Sequence, residues 1–419
     1  MAKTLDVYLH DELAGHLIQD EGGQTVFEYA QTWLVRSGAT ALSVSLPLRK
    51  ERFSRNESRG FFAGILPDET KREIIARNLG ISARNDFAML ERIGGECAGA
   101  VTFIPAGQAL PPRDYHYRAI SPKQLAEIFK ELPKRPLLAG EEGVRLSLAG
   151  AQDKIAVRME ASEISIPLGG APSTHILKPS IERFAGVVFN EAFTMQLATA
   201  IGFRAAVVEV RNAETIEYLS VERYDRTTHI KQGNVTAIDR LHQEDFCQAL
   251  NIVPEMKYQK EGGPSLKQCF GLVREVSNAP VVDLARLLDF VVYNYLIGNN
   301  DAHGKNFSLL YHAAGTANQE IRLAPLYDAI STVYYPELSN DMAMKLGDSY
   351  QPERVGPRDF EKLAEQAGLA KRLVRQRVPE LARMILDSTT KIQSDQDVAK
   401  KVAALIRTRC EAALRRFSN

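Results

Sequence analysis

Between residues 284 and 296 the apolar residues Leu284, Leu287, Leu288, Val291, Val292, Tyr295 and Leu296 recur at i, i+3, i+4 and i+7, and Gly298 follows. This spacing predicts a helix with a broad buried face, and the glycine supplies a stop signal. The chain must then pass from a core helix into a largely polar stretch, N-N-D-A-H-G-K-N-F-S (299–308). Such a loop is held by the core on one side and is open to chemistry on the other. It carries Asp301, His303, Lys305 and Asn306. Asp301 and Asn306 stand five positions apart, the interval between the catalytic Asp and the metal-binding Asn of kinase catalytic loops. A phosphotransferase needs a carboxylate to orient an attacking hydroxyl and a nearby amide oxygen to help hold Mg²⁺ against phosphates. Taken alone, the same residues also make an ordinary polar turn after a helix.

Other weak features fall in an order that favours the chemical reading. The small-residue segment Leu148–Lys154 (LAGAQDK) joins two strand-like pieces, so its backbone N–H groups can cradle phosphates; a hairpin turn is the bland alternative. Lys178 ends the apolar strand THILK, and Glu191 lies near the start of the helical NEAFTMQLATAI, an obvious partner for that lysine. Their alternatives are a solvated strand-end lysine and a first-turn acid favoured by the helix dipole. Glu222-Arg223-Tyr224 follows the strand YLSV, where a two-lobed kinase places the hinge that reads adenine, or else it is a charged strand end. Asp328 follows the apolar run IRLAPLY and suits a second metal ligand, or else caps a helix.

The rest of the chain frames these segments. At 419 residues two or three domains are expected. The first ~105 residues read as a small α+β unit: Leu5–Leu9 alternates, Asp11-Glu12 with Gly15 suggests a tight hairpin, Asp86–Ile93 looks helical and Ala98–Ile104 reads as a strand. Pro105–Arg113 is the best linker candidate, and Ser121–Leu132 reads as a helix opened by Ser-Pro. Strands are expected at Arg145–Leu148, Ile155–Met159, Thr174–Lys178, Ala206–Val210 and Glu217–Glu222, with mainly helix beyond residue 240. The expected division is 1–105, 106–143, 144–224 and 225–419, an α+β fold with segregated lobes.

Lys+Arg and Asp+Glu both number 52, which excludes a strongly basic wrapper of nucleic acid but leaves a local basic face open. Residues 371–416 carry 12 Lys/Arg against 5 Asp/Glu, a DNA-facing surface or simply solvated helix faces. The four cysteines form no CxxC pair, so a reducing cytoplasm is expected. No signal peptide and no membrane span are expected.

The segments RLSLAGAQDK (145–154), THILK (174–178), NE (190–191), VERYDR (221–226), QEDFCQ (243–248), GNNDAHGKNFS (298–308) and PLYDAIS (325–331) resemble those of HipA-type serine/threonine kinases. So do SLPL (45–48), FFAGILPD (61–68) and IGGECAGAV (93–101) near the N-terminus. These kinases are toxins of bacterial toxin–antitoxin pairs. The resemblance implies a two-lobed protein-kinase-like fold with a small N-terminal α/β subdomain and a mainly helical C-terminal lobe. It implies ATP and Mg²⁺ as cofactors, Asp301 as catalytic aspartate, Asn306 and Asp328 as Mg²⁺ ligands and Lys178, paired with Glu191, on the ATP phosphates. Ala149, Gly150, Ala151, Gln152, Asp153 and Lys154 would form the phosphate loop, and Glu222, Arg223 and Tyr224 the adenine hinge, where the family often has Phe in place of Tyr224. His303, Lys305 and Tyr327 would complete the nucleotide site. Ser147 falls at the family's autophosphorylation position, where a phosphate locks the loop outward and shuts the kinase off. Implied partners are a small helix-turn-helix antitoxin (HipB-like), operator DNA through that complex, and a protein substrate such as an aminoacyl-tRNA synthetase, with glutamate–tRNA ligase the described case. The alternatives are a co-repressor with little kinase activity and a small-molecule kinase.

Overall fold

The computed structural model describes residues 2–111, 114–231, 234–392 and 394–417, so the end of the linker expected over Pro105–Arg113 lies outside the described residues. The chain divides into two units. The first comprises Met1–Pro179, Arg211–Glu255 and Leu309–Ile321; the second comprises Ser180–Val210, Met256–Ser308 and Arg322–Asn419. The helical part expected from residue 225 onward therefore contributes two pieces, 225–255 and 309–321, to the first unit. The hairpin Arg226–Lys231 with Asn234–Arg240 is one of them.

The first unit contains a four-stranded antiparallel sheet in the order Thr25–Tyr29, Glu12–Gln19, Lys3–Leu9, Val101–Pro105. Leu5, Val7 and Leu9 are fully buried, as their alternation requires. The first turn is tighter than the sequence suggests: Leu9 pairs with Glu12, leaving His10-Asp11 as the loop, with His10 at φ 55°. Gly15 belongs to the second strand, where a Cβ would lie 2.7 Å from the Phe27 ring. A larger residue there has no room beside the neighbouring strand. Helix Asp86–Ile93 forms as expected, and helix Pro122–Glu131 is capped by Ser121, whose side chain accepts from Gln124 N.

A second sheet has six strands, in the order Tyr117–Ile120, Glu163–Pro167, Ile155–Glu160, His175–Pro179, Ile216–Glu222, Val208–Ala213. Strand His175–Pro179 is thus internal, and Lys178, opposite Leu219, is only 7% exposed. Two buried acids help hold this unit together. Glu96 is reached by Arg223 at 3.1 Å, Arg226 at 2.9 Å and Arg240 at 2.7 Å, and it accepts from Ser173 N and Oγ. Asp225 is paired with Arg223 and Arg226 and accepts from Gly99 N at 2.7 Å. Burial works against both charges, but the guanidinium groups outweigh it and hold Glu96 down at about 2 and Asp225 below the ordinary range. Glu244 contrasts with them. It is buried without a cation, accepts from Ser43, Tyr311 and Val44 N, and burial pushes it up to about 7.

The second unit is mainly helical: Val187–Ala200, Leu266–Val276, Pro280–Ile297, Pro357–Ala367, Lys371–Thr389 and Asp397–Phe417 are its long helices. Pro280–Ile297 is the predicted core helix. It opens with proline at its first position and stops at Gly298, φ 75°, where a Cβ would run into Val333. All four cysteines are buried, Cys97 and Cys247 in the first unit and Cys269 and Cys410 in the second.

Candidate active site

The second unit brings Asp301, Asn306 and Asp328 onto one surface by a chain of local bonds. After Gly298, Asn299 turns back to the helix, its Nδ2 donating to Asn294 Oδ1 at 2.8 Å, while its Oδ1 accepts from Asp301 N at 3.2 Å. Asn300 N donates to Thr332 Oγ1 at 2.7 Å. Asp301 is exposed, and its Oδ1 accepts from the Tyr258 hydroxyl at 2.7 Å. The loop then tightens into the 3₁₀ turn Gly304–Asn306, with His303 N donating to Asp301 O and Asn306 N to His303 O. That turn accounts for the five-residue interval, because it is what faces Asn306 back toward Asp328.

Asn306 Nδ2 donates to Asp328 Oδ2 at 3.3 Å. Its other terminal atom, Oδ1, is buried and accepts no hydrogen bond. A buried amide oxygen normally finds a donor, so an oxygen left this way beside a carboxylate suits a hard cation. Among the described residues no group of three or more His, Cys, Asp or Glu could hold a metal. A site of one amide and one carboxylate fits Mg²⁺, which takes few protein ligands and relies on water and phosphate oxygens.

Asp328 adopts the left-handed conformation, φ 56°, which Asp tolerates better than most residues. It caps no helix; the following 3₁₀ turn Thr332–Tyr334 has Ser331 at its N-cap. Helix Val187–Ala200 fixes the residues after it. Thr194 Oγ1 donates to Ala329 O at 2.5 Å, and Asn190 exchanges two 3.0 Å bonds with the Ser331 backbone. That helix starts three residues before the expected Asn190, after Gly186, so Glu191 lies past its first turn and is 4% exposed. The reading of Glu191 as a first-turn acid favoured by the helix dipole therefore falls. Tyr327 donates to Lys305 O at 2.6 Å and lies 2.7 Å from Ser308 Oγ, while His303 and Lys305 are buried.

The remaining predicted residues sit in the first unit, so Lys178 and Glu191 belong one to each unit. The strand expected over Arg145–Leu148 shrinks to one bridge, Leu146 with Glu96. Ser147 is fully buried: its N donates to Glu96 O at 2.9 Å and its Oγ to Ile65 O at 3.0 Å. Ala149–Lys154 is not a hairpin turn, because Ile155–Glu160 pairs with Glu163–Pro167 and His175–Pro179 rather than with the residues before the loop. Gly150 sits at φ 105°, Lys154 Nζ donates to Ala149 O at 2.5 Å, and Asp153 is paired with Lys71 at 2.6 Å; Ala151 is exposed and Gln152 half-buried. Of the hinge residues, Glu222 is exposed and the Tyr224 hydroxyl donates to Gln243. The Arg223 side chain is spent on Glu96, Asp225 and Cys97 O, and its N donates to Thr174 O. Sequence reading missed Tyr258 and Thr194 and gave Asn190, quoted only within the NE segment, no role of its own; all three act on the site from 43 or more residues away.

The chain is similar to known proteins along nearly its whole length. Residues 5–104 match the family model described as HipA N-terminal domain, and residues 146–389 match the HipA-like C-terminal domain. The Sinorhizobium fredii protein Y4mE, which bears a kinase name, is 44% identical over 94% of this chain and 92% of its own. The serine/threonine-protein kinase toxin HipA of Shewanella oneidensis is 28% identical over 98% of this chain and 96% of its own. A solved complex of Shewanella oneidensis HipA with HipB and its operator DNA aligns with a TM-score of 0.85 at 27% identity, covering 99% of this chain and 98% of that one.

Proposed function

The chain belongs to the HipA-like family of kinases, and from that premise we propose that it transfers the γ-phosphate of ATP to a serine or threonine hydroxyl of a protein. The observation that carries this reading is Asn306, whose Oδ1 is buried without a donor while its Nδ2 reaches Asp328, on the same loop as Asp301. Asn306 and Asp328 would hold Mg²⁺, which when bound neutralises phosphate oxygens. Asp301 accepts the hydroxyl proton. Lys178 contacts the phosphates, and the backbone of Ala149–Lys154 covers them. Glu222 and Tyr224 flank adenine. Arg223 supports the hinge rather than the nucleotide, since its guanidinium and its N–H are already bonded within the first unit. His303, Lys305 and Tyr327 shape the floor of the site.

In this reading the protein is the toxin of a toxin–antitoxin pair. Its partner is a small helix-turn-helix antitoxin that carries it to operator DNA, and its substrate is a protein such as an aminoacyl-tRNA synthetase. Ser147 is its own off-switch. A phosphate adds about −1.5 to −2 charges, and a fully buried serine that donates to Ile65 O has no room for it, so modification forces the segment before the phosphate loop out of its seat. Mass spectrometry of a lysate incubated with the protein and Mg²⁺-ATP tests the reading. We expect a protein phosphosite to appear in the lysate and Ser147 to fill as activity falls. Phosphorylation of metabolites alone, or an active protein fully modified at Ser147, would sink it.

A further inference from the structure

We infer that Tyr258 is a positioning residue for Asp301: it holds one carboxylate oxygen so that the other takes the proton of the acceptor hydroxyl. This rests on the assignment of Asp301 as the base.

The contact is a hydroxyl donating to a carboxylate oxygen at 2.7 Å, the length of a charge-assisted bond. Both ends are anchored to one residue. Ala343 N donates to Asn300 O at 2.7 Å, and Ala343 O accepts from Gln259 N at 3.0 Å. The residue before Asp301 and the residue after Tyr258 are therefore tied to the two peptide groups that flank one α-carbon, that of Ala343. Lys345 N adds a bond to Gln259 Oε1 at 2.7 Å. The Tyr258 backbone is also fixed by a tight turn, its carbonyl accepting from Glu261 N and Gly263 N at 2.9 Å each. That turn needs its glycines: Gly262 has φ 104°, and a Cβ on Gly263 would lie 2.5 Å from Met256 O. The ring is aimed by the catalytic loop itself, edge-on to His303 at 5.3 Å and 76°.

Asp301 is exposed, and the Tyr258 bond narrows the rotamers that a short side chain there can sample. Near-attack geometry demands one of them. In this assignment Oδ1 stays with Tyr258 and Oδ2 takes the proton. The acceptor oxygen bonds to the γ-phosphorus as the bond from that phosphorus to the bridging oxygen breaks, its electron pair leaving on ADP. The hydroxyl proton goes to Oδ2, and Tyr258 keeps its own.

Tyr258→Phe preserves the ring against His303 and deletes only the donor. ADP release from Mg²⁺-ATP with a pool of serine- and threonine-containing peptides is the measurement, made on the full chain. Turnover should fall about tenfold, the loss expected for one bond to a charged group, while KM for Mg²⁺-ATP and the thermal midpoint stay put. Asp301→Asn should fall much further, and Tyr258→Phe on top of Asp301→Asn should cost nothing more, because the tyrosine acts through that carboxylate. Wild-type turnover in Tyr258→Phe with Asp301→Asn inactive overturns the role of Tyr258 alone. So does a further, multiplicative loss in the double variant, which marks a merely structural tyrosine. Wild-type turnover in Asp301→Asn removes the base assignment and this inference with it.

Discussion

Asn306 is the residue on which the chemistry turns, and its two terminal atoms make different predictions testable. Asn306→Asp keeps an oxygen for the metal but replaces the donor facing Asp328 with a second carboxylate, so like charges meet at what was a 3.3 Å bond. We predict that Asn306→Ala and Asp328→Asn each lower phosphoryl transfer by on the order of 100-fold or more, the scale seen when one group stabilising transition-state charge is lost. Asn306→Asp should retain partial activity that rises with Mg²⁺ concentration. Titration of turnover against Mg²⁺ checks this, and a variant series insensitive to Mg²⁺ would place the metal elsewhere. The positions of Asp301 and Asn306 were legible because a single loop carries both. Asp328 was legible only through the order of motifs. Tyr258, 43 residues from its partner, was hidden, since sequence distance says nothing about which turn Ala343 will clamp.

Among the elements, the core helix was the most legible and Gly298 the most informative stop. That glycine works twice, since it takes φ 75° and leaves no space for a Cβ against Val333. Gly298→Ala should therefore destabilise by about 1–3 kcal/mol, from left-handed strain and a side-chain clash together. It should also reduce turnover, because Asn299 and Asn300 can no longer reach Asn294 and Thr332. Thermal melts and ADP release on one sample read both effects, and an unchanged melt would refute the strain. The sequence reading slipped at one strand through a long-range contact and at one helix start through a local glycine. Arg145–Leu148 was expected to be a strand leading into the small-residue loop, yet Leu146 finds a single bridge partner, Glu96. Helix Val187–Ala200 began early because Gly186, in the left-handed region, opened it, which placed Glu191 in a buried turn.

Across the whole molecule, the two kinds of buried acid give stability opposite slopes with pH. Glu96 titrates at about 2 when folded against about 4.5 unfolded. Its contribution is complete above pH 4.5 and disappears as pH falls toward 2. Glu244 is raised from 4.5 to about 7, so its protonated form favours the fold below pH 4.5 and that advantage is lost as pH climbs through 7. We predict that Glu244→Gln, which keeps partners for Ser43 and Tyr311, melts higher than wild type at pH 8 by up to about 3 kcal/mol of stability and loses that lead at pH 4.5. Melts at the two pH values decide it, and equal slopes for the two proteins would sink it. This balance was invisible in the sequence, as was the return of residues 225–255 and 309–321 to the first unit. Neither segment carries a pattern that names its destination.

The buried cysteines give each unit a chemical clock of its own. Cys97 lies in the first unit and Cys269 and Cys410 in the second, and burial pushes all three thiols up to about 12. A thiol must ionise and meet solvent before it can be alkylated, so labelling in the native state waits for the surrounding core to open. Iodoacetamide labelling followed by peptide mapping should give one rate for Cys97 with Cys247 and another for Cys269 with Cys410 if the units open separately. A single shared rate would mean that the chain opens only as a whole.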